Sequence, residues 1–369
     1  MEQEQIYKLA LHLIPGVGYL NFKQLISYFG EAEAVFSATK GKLIKVPGIG
    51  NTIASHITSG HSLAHAEIEL KKVAKFGGEI LFHSDEHFPK RLKLINDAPA
   101  LLYHKGNTEL NKQKTIAIVG TRKATDYGKA VTKELIKELT KYDPLIISGL
   151  AFGIDIQAHK GALENGLQTV GVMAGGLNVI YPREHGKTAM KMIDSGGLLT
   201  ENKIDAKPDA PKFPARNRII AGMADITIVV EAARKGGALI TAEIANGYNR
   251  DVFAVPGNIR EKMSEGCNHL IRSNKAHLLT SVEDIEYIMR WDSEGQVSKK
   301  EKETLDLSLF DNEEIKVLQC LKACDSPLMI DKLSWQTNIN VSQLSSILLN
   351  LEFKGYVSSL PGKMFRLAS

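Results

Sequence analysis

Cysteine is scarce in this 369-residue chain: Cys267, Cys320 and Cys324 are odd in number and lack a C-x-x-C spacing. That excludes a disulfide-stapled secreted scaffold, leaves a cysteine-held metal little to stand on, and makes a reduced cytoplasmic setting the simplest reading. Long apolar runs are missing too. No stretch of about 18 or more apolar residues occurs, so no membrane-spanning helix is predicted. The first residues, MEQEQIYKLALHLIPGVG, place acid where a secretory signal needs a basic region, so neither export nor membrane insertion is expected. A large excess of one charge is also absent. The 46 Lys and Arg against 42 Asp and Glu leave +4, short of a uniformly cationic coat, so an anion site has to be local.

What remains is ordinary globular material, 43% apolar and 24% charged, long enough for two or three domains. Residues 1 to about 76 read as short helices joined by two similar turns, IPGVG at 14–18 and VPGIG at 46–50. Gly16, Gly18, Gly48 and Gly50 thus stand where a sharp turn enters a helix, a place where free backbone amides hold phosphate. The pattern resembles a helix-hairpin-helix or sterile-alpha-motif-like unit. Only Lys23, Lys40, Lys42 and Lys45 supply nearby charge, so a purely structural or protein-contact role outweighs direct DNA contact here. A connecting segment, HFPKRLKLINDAPALLYHKG, closes this first region at about residue 108.

From 109 to 290 the rhythm changes. Short apolar runs, TIAIVG, LIISG, QTVGVMAG, GLLTEN, ITIVVE and VFAVPG, alternate with helical patterns at 125–141, 153–165, 184–195, 216–223 and 239–249. Near-continuous apolar strands separated by helices predict an α/β domain with a mostly parallel, doubly wound, Rossmann-like sheet covered on both faces. Residues 291–310 are charged and read as a linker. From 311 to 369, three helical patterns and a hairpin predict a winged helix whose third helix is nearly free of cations, with Lys332 near the second.

Ligands of open parallel sheets collect beyond the carboxyl ends of the strands. In this chain those ends carry Gly120-Thr121-Arg122, the turn from Gly149 to Asp155, Gly175-Gly176 with Tyr181-Pro182-Arg183, the stretch Lys212-Phe213-Pro214-Ala215-Arg216-Asn217-Arg218, and Arg234-Lys235-Gly236-Gly237. One glycine turn is weak evidence, since tight turns need glycine anyway. Several converging turns, with Arg122, Arg183, Arg216, Arg218 and Lys235 among them, describe an extended anionic ligand. Phe213 adds a flat ring on which a base could stack.

The usual nucleotide and hydrolase signatures fail. No G-x-G-x-x-G follows the first strand, and Gly186-Lys187-Thr188 resembles a P-loop end but has Tyr181 where its first glycine should stand. His61 and His65 have helical spacing for a metal, yet Ser62 replaces the glutamate of a zinc protease. Asp155 and His159 are one turn apart, but a carboxylate there more simply caps a helix. No catalytic residue, metal or cofactor is expected.

Taken together, GTRKATDYG, SGLAFGIDIQAHKGAL, GVMAGGLNVIYP, KFPARNRIIAG, KGGALITAEIANGYNRDVFAVPG and EGCNHLIRSNKAHL resemble the DNA processing protein A (DprA/Smf) family. The resemblance implies a homodimeric, non-enzymatic, cytoplasmic protein that binds single-stranded DNA. It further implies protection of incoming DNA during natural transformation and loading of the RecA recombinase. It places the phosphate turn on Gly120, Thr121 and Arg122, the S-G-x-A-x-G-I-D turn with Gly149 and Gly153 on 148–155, and F-P-x-R-N-R on Phe213, Arg216, Asn217 and Arg218. Two departures stand out: Lys235 occupies a position usually serine, and T-E-N at 200–202 replaces S-E-Y.

On this reading the amides of Gly120 and Thr121 with the Arg122 guanidinium hold one phosphate, and Lys212 and an arginine of R-N-R hold its neighbours. The other arginine pairs with a carboxylate, and the sequence does not say which. Val252–Pro256 with Cys267–Ile271 is a candidate subunit seam. The rival reading is a Rossmann-like nucleoside-monophosphate phosphoribohydrolase, whose P-G-G-x-G-T-x-x-E signature corresponds to KGGALITAE at 235–243, with Thr241 and Glu243 out of register.

Overall fold

The computed structural model describes residues 2–291, 310–322, 328–360 and 364–367. Cys324 and all but the two ends of the expected linker lie outside the described residues. The chain divides into two compact units, 1–284 and 285–369.

Six helices come first: α1 (Glu2–His12), α2 (Tyr19–Phe29), α3 (Ala32–Ser37), α4 (Lys40–Leu43), α5 (Asn51–Ser59) and α6 (His61–Phe76). The repeated turns brace one another. Gly16 and Gly48 adopt φ of +87° and +82°, a region that favours glycine. Asn21 of α2 donates to the Gly16 carbonyl at 2.8 Å, and a Cβ on Gly48 would come within 2.6 Å of the same side chain. A Cβ on Gly16 would in turn touch Ile53 of α5 at 3.2 Å. Each turn therefore packs on the helix that follows the other, around Leu25, Leu43, Ala54 and Ile57, while Lys23, Lys40, Lys42 and Lys45 stay exposed.

The connecting segment is more structured than its sequence suggested. It supplies β2 (Leu101–Gly106), and with β1 (Glu79–Phe82) just ahead of it this strand joins β3 (Thr115–Val119), β4 (Leu145–Ser148), β5 (Thr169–Val172), β6 (Gly196–Thr200), β7 (Ile226–Val229), β8 (Asp251–Ala254) and β9 (His277–Leu278). The order among these is β1-β2-β6-β5-β4-β3-β7-β8-β9, parallel from β6 to β9, with β2 antiparallel to β6 and β1 antiparallel to β2. β3, β4, β5, β6 and β7 are buried along their whole length, which is why they read as unbroken apolar runs. Leu9, Ala10, Ala66 and Val73 of α1 and α6 share one core with Tyr103, Met173 and Leu198, so the N-terminal helices and the sheet form one body.

The helices of the sheet are α7 (Asp126–Leu139), α8 (Ile154–Glu164), α9 (Gly186–Asp194), α10 (Lys212–Met223), α11 (Gly237–Gly247), α12 (Glu265–Arg272) and α13 (Val282–Met289). α10 starts four residues before the periodicity placed it, because Pro214 falls in its first turn, where a missing N–H costs nothing.

In the second unit, α14 (Asn312–Lys322), α15 (Ile330–Thr337) and α16 (Val341–Phe353) pack with β10 (Leu328–Met329), β11 (Val357–Leu360) and β12 (Met364–Leu367), ordered β10-β12-β11. This is a winged-helix arrangement with Leu333, Leu344 and Leu351 at its centre. Among the described residues no helix is long and apolar enough to cross a membrane.

Candidate functional site

Strand order reverses at β3, which lies between β4 and β7. Beyond its carboxyl end opens a crevice lined by Gly120, Thr121, Arg122, Asp155, Phe213, Arg216, Asn217 and Lys235. Seven of the sequence-predicted residues, Gly120, Thr121, Arg122, Phe213, Arg216, Asn217 and Lys235, therefore converge at the switch point of a doubly wound sheet, while Gly149, Gly153, Lys212 and Arg218 do not line this crevice. An adjoining shallow hollow is walled by Phe152, Met173, Tyr181, Pro208 and Phe213, with Arg122 and Arg216 at its border.

The turn that carries Arg122 is locked from below. The Thr121 N–H donates to the Glu231 carbonyl at 2.7 Å, and the Thr121 carbonyl accepts from Ile154 N at 3.2 Å. Gly153, at φ +80°, lies so close beneath that a Cβ would come within 2.0 Å of the Thr121 oxygen. The buried Glu231 carboxylate takes the amide and hydroxyl of Thr125 at 2.9 and 2.6 Å, which fixes the start of α7 beside the turn. The expected phosphate cradle is accordingly corrected at one atom: the Thr121 amide is spent inside the protein.

Arg122 is exposed, and among the described residues its guanidinium makes no ion pair. It stands 5.3 Å from the Phe213 ring centroid, a cation–π distance. Tyr181 meets the same ring edge-on at 6.1 Å and is 54% exposed, while Phe152, 44% exposed, rests edge-on against His185 at 4.9 Å. His185 is held in turn by donating Nδ1–H to the Leu150 carbonyl at 2.8 Å. One free cation and three accessible rings thus border a single opening.

Arg216 points the other way. It is buried, donating through Nη1 to the carbonyls of Gly149 and Val172 and through Nε to Asn217 Oδ1 at 3.1 Å. Burial lowers its pKa to about 10, against the pull of nearby Asp155. Burial likewise raises the Asp155 carboxyl, and Arg216 with the amides of Ala151 and Gly149 draws it back. Asn217 completes the support by donating to the Gly237 carbonyl at 3.4 Å. A Cβ on Gly149 would collide with the Arg216 guanidinium at 2.4 Å, so that glycine makes room for the arginine.

Arg218 pairs with Glu201 and donates to the Asp97 carbonyl at 2.6 Å. The expected division of the two arginines, one for DNA and one for structure, is corrected: Arg218 has the carboxylate, and Arg216 has backbone carbonyls. Lys212, off the crevice wall, bonds Asp209 at 2.7 Å and the Lys207 carbonyl at 2.7 Å. Lys235 lines the crevice and is exposed.

Comparison with known proteins fits this architecture. Residues 79–290 match the family model of DNA recombination-mediator protein A, and residues 301–363 match the DprA winged helix domain. The chain belongs to the DprA family. Protein Smf of Synechocystis is 30% identical over 98% of both chains, and DNA processing protein DprA of Streptococcus pneumoniae is 41% identical over 60% of this chain and 76% of its own. The X-ray structure of the pneumococcal DprA superposes with a TM-score of 0.66 at 32% identity, covering 78% of this chain and 98% of that one. A Helicobacter pylori DNA processing protein A structure, titled for its single-stranded DNA binding mode, gives 0.53 at 31% identity, covering 58% and 96%.

Within this DprA fold Phe152 and Tyr181 border the site, although the reading from sequence placed them at strand ends without giving either a binding role. Each directly follows or flanks a strand-end turn, the one signal that marked them. Part of the candidate seam lies inside the fold, while His269 within it stands exposed. Val252–Ala254 are the buried centre of β8 between β7 and β9, and Cys267 is fully buried beneath β7, so both belong to the interior of the fold.

Proposed function

We propose that this protein binds single-stranded DNA across the carboxyl edge of its sheet without transforming it, and that it delivers the strand to the RecA recombinase. The observation that carries this is the unpaired Arg122 standing over Phe213 beside Tyr181 and Phe152. A phosphate meets the guanidinium while neighbouring bases stack on rings that offer a face to any base. A duplex keeps its base faces inside, so the site favours single strands. Lys235 adds a second phosphate contact across the crevice, whereas Arg216 and Arg218 hold the frame.

Binding without catalysis is supported by the segment that would carry hydrolase chemistry. Glu243 sits on the outer face of α11 and pairs with Lys275 at 3.1 Å, and the Thr241 hydroxyl is spent on the Gly237 carbonyl at 3.1 Å. Glu243 is not among the residues lining the crevice, and Thr241 lines it with its hydroxyl proton already donated. The family relationship supports the remaining expectations: a cytoplasmic homodimer that acts during recombination of incoming DNA.

Fluorescence anisotropy with a labelled oligothymidine and an equal-length duplex, over a salt series, tests the binding site. Tight, salt-sensitive single-strand binding that Arg122→Ala weakens is expected. Equal affinity for both forms, unchanged by Arg122→Ala, would refute the site. Delivery is tested by the onset of RecA's DNA-dependent ATPase on a single strand with and without this protein.

A further inference from the structure

The site described so far spans only a few nucleotides, and its wall continues into a second feature. Tyr181 and Pro182 border the aromatic hollow, and Arg183 follows at once in the short 3-10 turn that leads into α9. Lys187 and Lys191 come at intervals of four residues along that helix, so the three cations recur about every 6 Å. Arg183, Lys187 and Lys191 are all exposed, and among the described residues none has an ion-pair partner.

α9 connects the carboxyl end of β5 to the start of β6. It therefore runs from the strand edge where the hollow opens down the face of the sheet. Beside it runs α8, and between the two helices lies an open groove lined by Lys160, Lys187 and Lys191 together with Glu164 and Asp194. Glu164 already has a cationic partner, Lys133 at 3.6 Å, which leaves three unpaired lysines against Asp194.

Resting on the binding site proposed above, we infer that this groove is the exit track for the strand, a backbone-only extension in which Arg183, Lys187, Lys191 and Lys160 hold successive phosphates. The ladder from Arg183 to Lys191 is about 12 Å long, enough for on the order of three phosphates. No aromatic lines the groove. It would therefore add affinity and salt dependence but no base stacking, and the bases leaving the hollow would face solvent, where another protein could reach them.

The test is length dependence. Wild type and the triple variant Lys160→Gln, Lys187→Gln, Lys191→Gln are titrated with oligothymidines from a few nucleotides to several tens, each over a salt series. On the shortest strands that bind, the two proteins should be equal. On long strands the variant should bind at least tenfold more weakly at low salt, with a slope of log affinity against log salt shallower by about 2, since each single-strand phosphate contact contributes about 0.7. Replacing the same three residues with arginine should restore the wild-type slope. Equal affinity and slope at every length would overturn the track while leaving the aromatic site standing. A deficit already full-sized on the shortest strands would also overturn it, because the lysines would then act at the site itself. If the wild type binds no single strand, the site and its extension fall together.

Discussion

Arg122 and Phe213 are 91 residues apart in the chain, yet the guanidinium lies 5.3 Å from the ring centroid at the mouth of the crevice. One comes from the turn after β3 and the other from the first turn of α10, so the pair exists only once the sheet has closed. The ring orients the cation without neutralising it, which keeps the charge available for a phosphate.

Removing either partner should therefore weaken DNA binding in distinguishable ways. Phe213→Ala is expected to cost about 1 to 3 kcal/mol per stacked base with the salt slope unchanged. Arg122→Ala should flatten that slope by about 0.7. The double variant should be less damaging than the sum, because each single change already disrupts the other residue. Anisotropy titrations of the four proteins would show this, and strict additivity would mean the ring and the cation act independently.

Arg216 and Arg218 should separate cleanly in stability measurements. Losing the buried Arg216 leaves the carbonyls of Gly149 and Val172 unpaired and Asp155 without its compensating charge, so Arg216→Ala should destabilise by about 3 kcal/mol or more. Arg216→Lys should rescue little, because an ammonium lacks the planar fork. Arg218→Ala removes a partly exposed pair with Glu201 and should cost about 1 kcal/mol. Urea unfolding monitored by circular dichroism reads both, and a mild effect of Arg216→Ala would contradict its assignment as the internal support.

Much of this was legible in the sequence, and the exceptions have physical reasons. TIAIV, LIIS and ITIV announce themselves because strands buried on both faces need no polar alternation. β2 did not, since LLYHKG ends in a histidine, a lysine and a glycine, and its pairing with β6 depends on residues nearly a hundred positions away. The convergence of strand-end turns was readable because a doubly wound sheet places all of them on one edge. The burial of Arg216 was not. Its partners are carbonyls of residues 149 and 172, and no local pattern shows that a helix carries a guanidinium inward.

Gly153→Ala should report on the foundation of the Arg122 turn. With φ at +80° and the Thr121 oxygen 2.0 Å from the would-be Cβ, an alanine must displace the turn. A loss of about 1 to 3 kcal/mol in stability is expected from the backbone conformation alone. DNA affinity should fall together with stability, because Arg122 rides on the same turn. Wild-type affinity in a folded Gly153→Ala protein would show that the turn is not what positions the cation.

Acid should destabilise the protein through His159. Its ring is fully buried, Nδ1–H donates to Thr169 Oγ1 at 2.7 Å, and Nε2 meets no hydrogen-bond partner among the described residues. Burial lowers its pKa to about 3, and the nearby charges, His185 and Arg216, push the same way. His12 is lowered likewise, to about 4, by burial and Lys203. An unfolded histidine binds its proton at about 6.5. The contribution of these groups is therefore complete above about pH 6.5 and is lost as pH falls toward the folded values, at about 1.4 kcal/mol per pH unit for each. Between pH 6.5 and 5 that is a loss of up to about 2 kcal/mol from His159. Substituting His159→Asn, which keeps a donor toward Thr169, should flatten the dependence of the urea midpoint on pH over this window. An unchanged slope in that variant would assign the acid sensitivity to other groups.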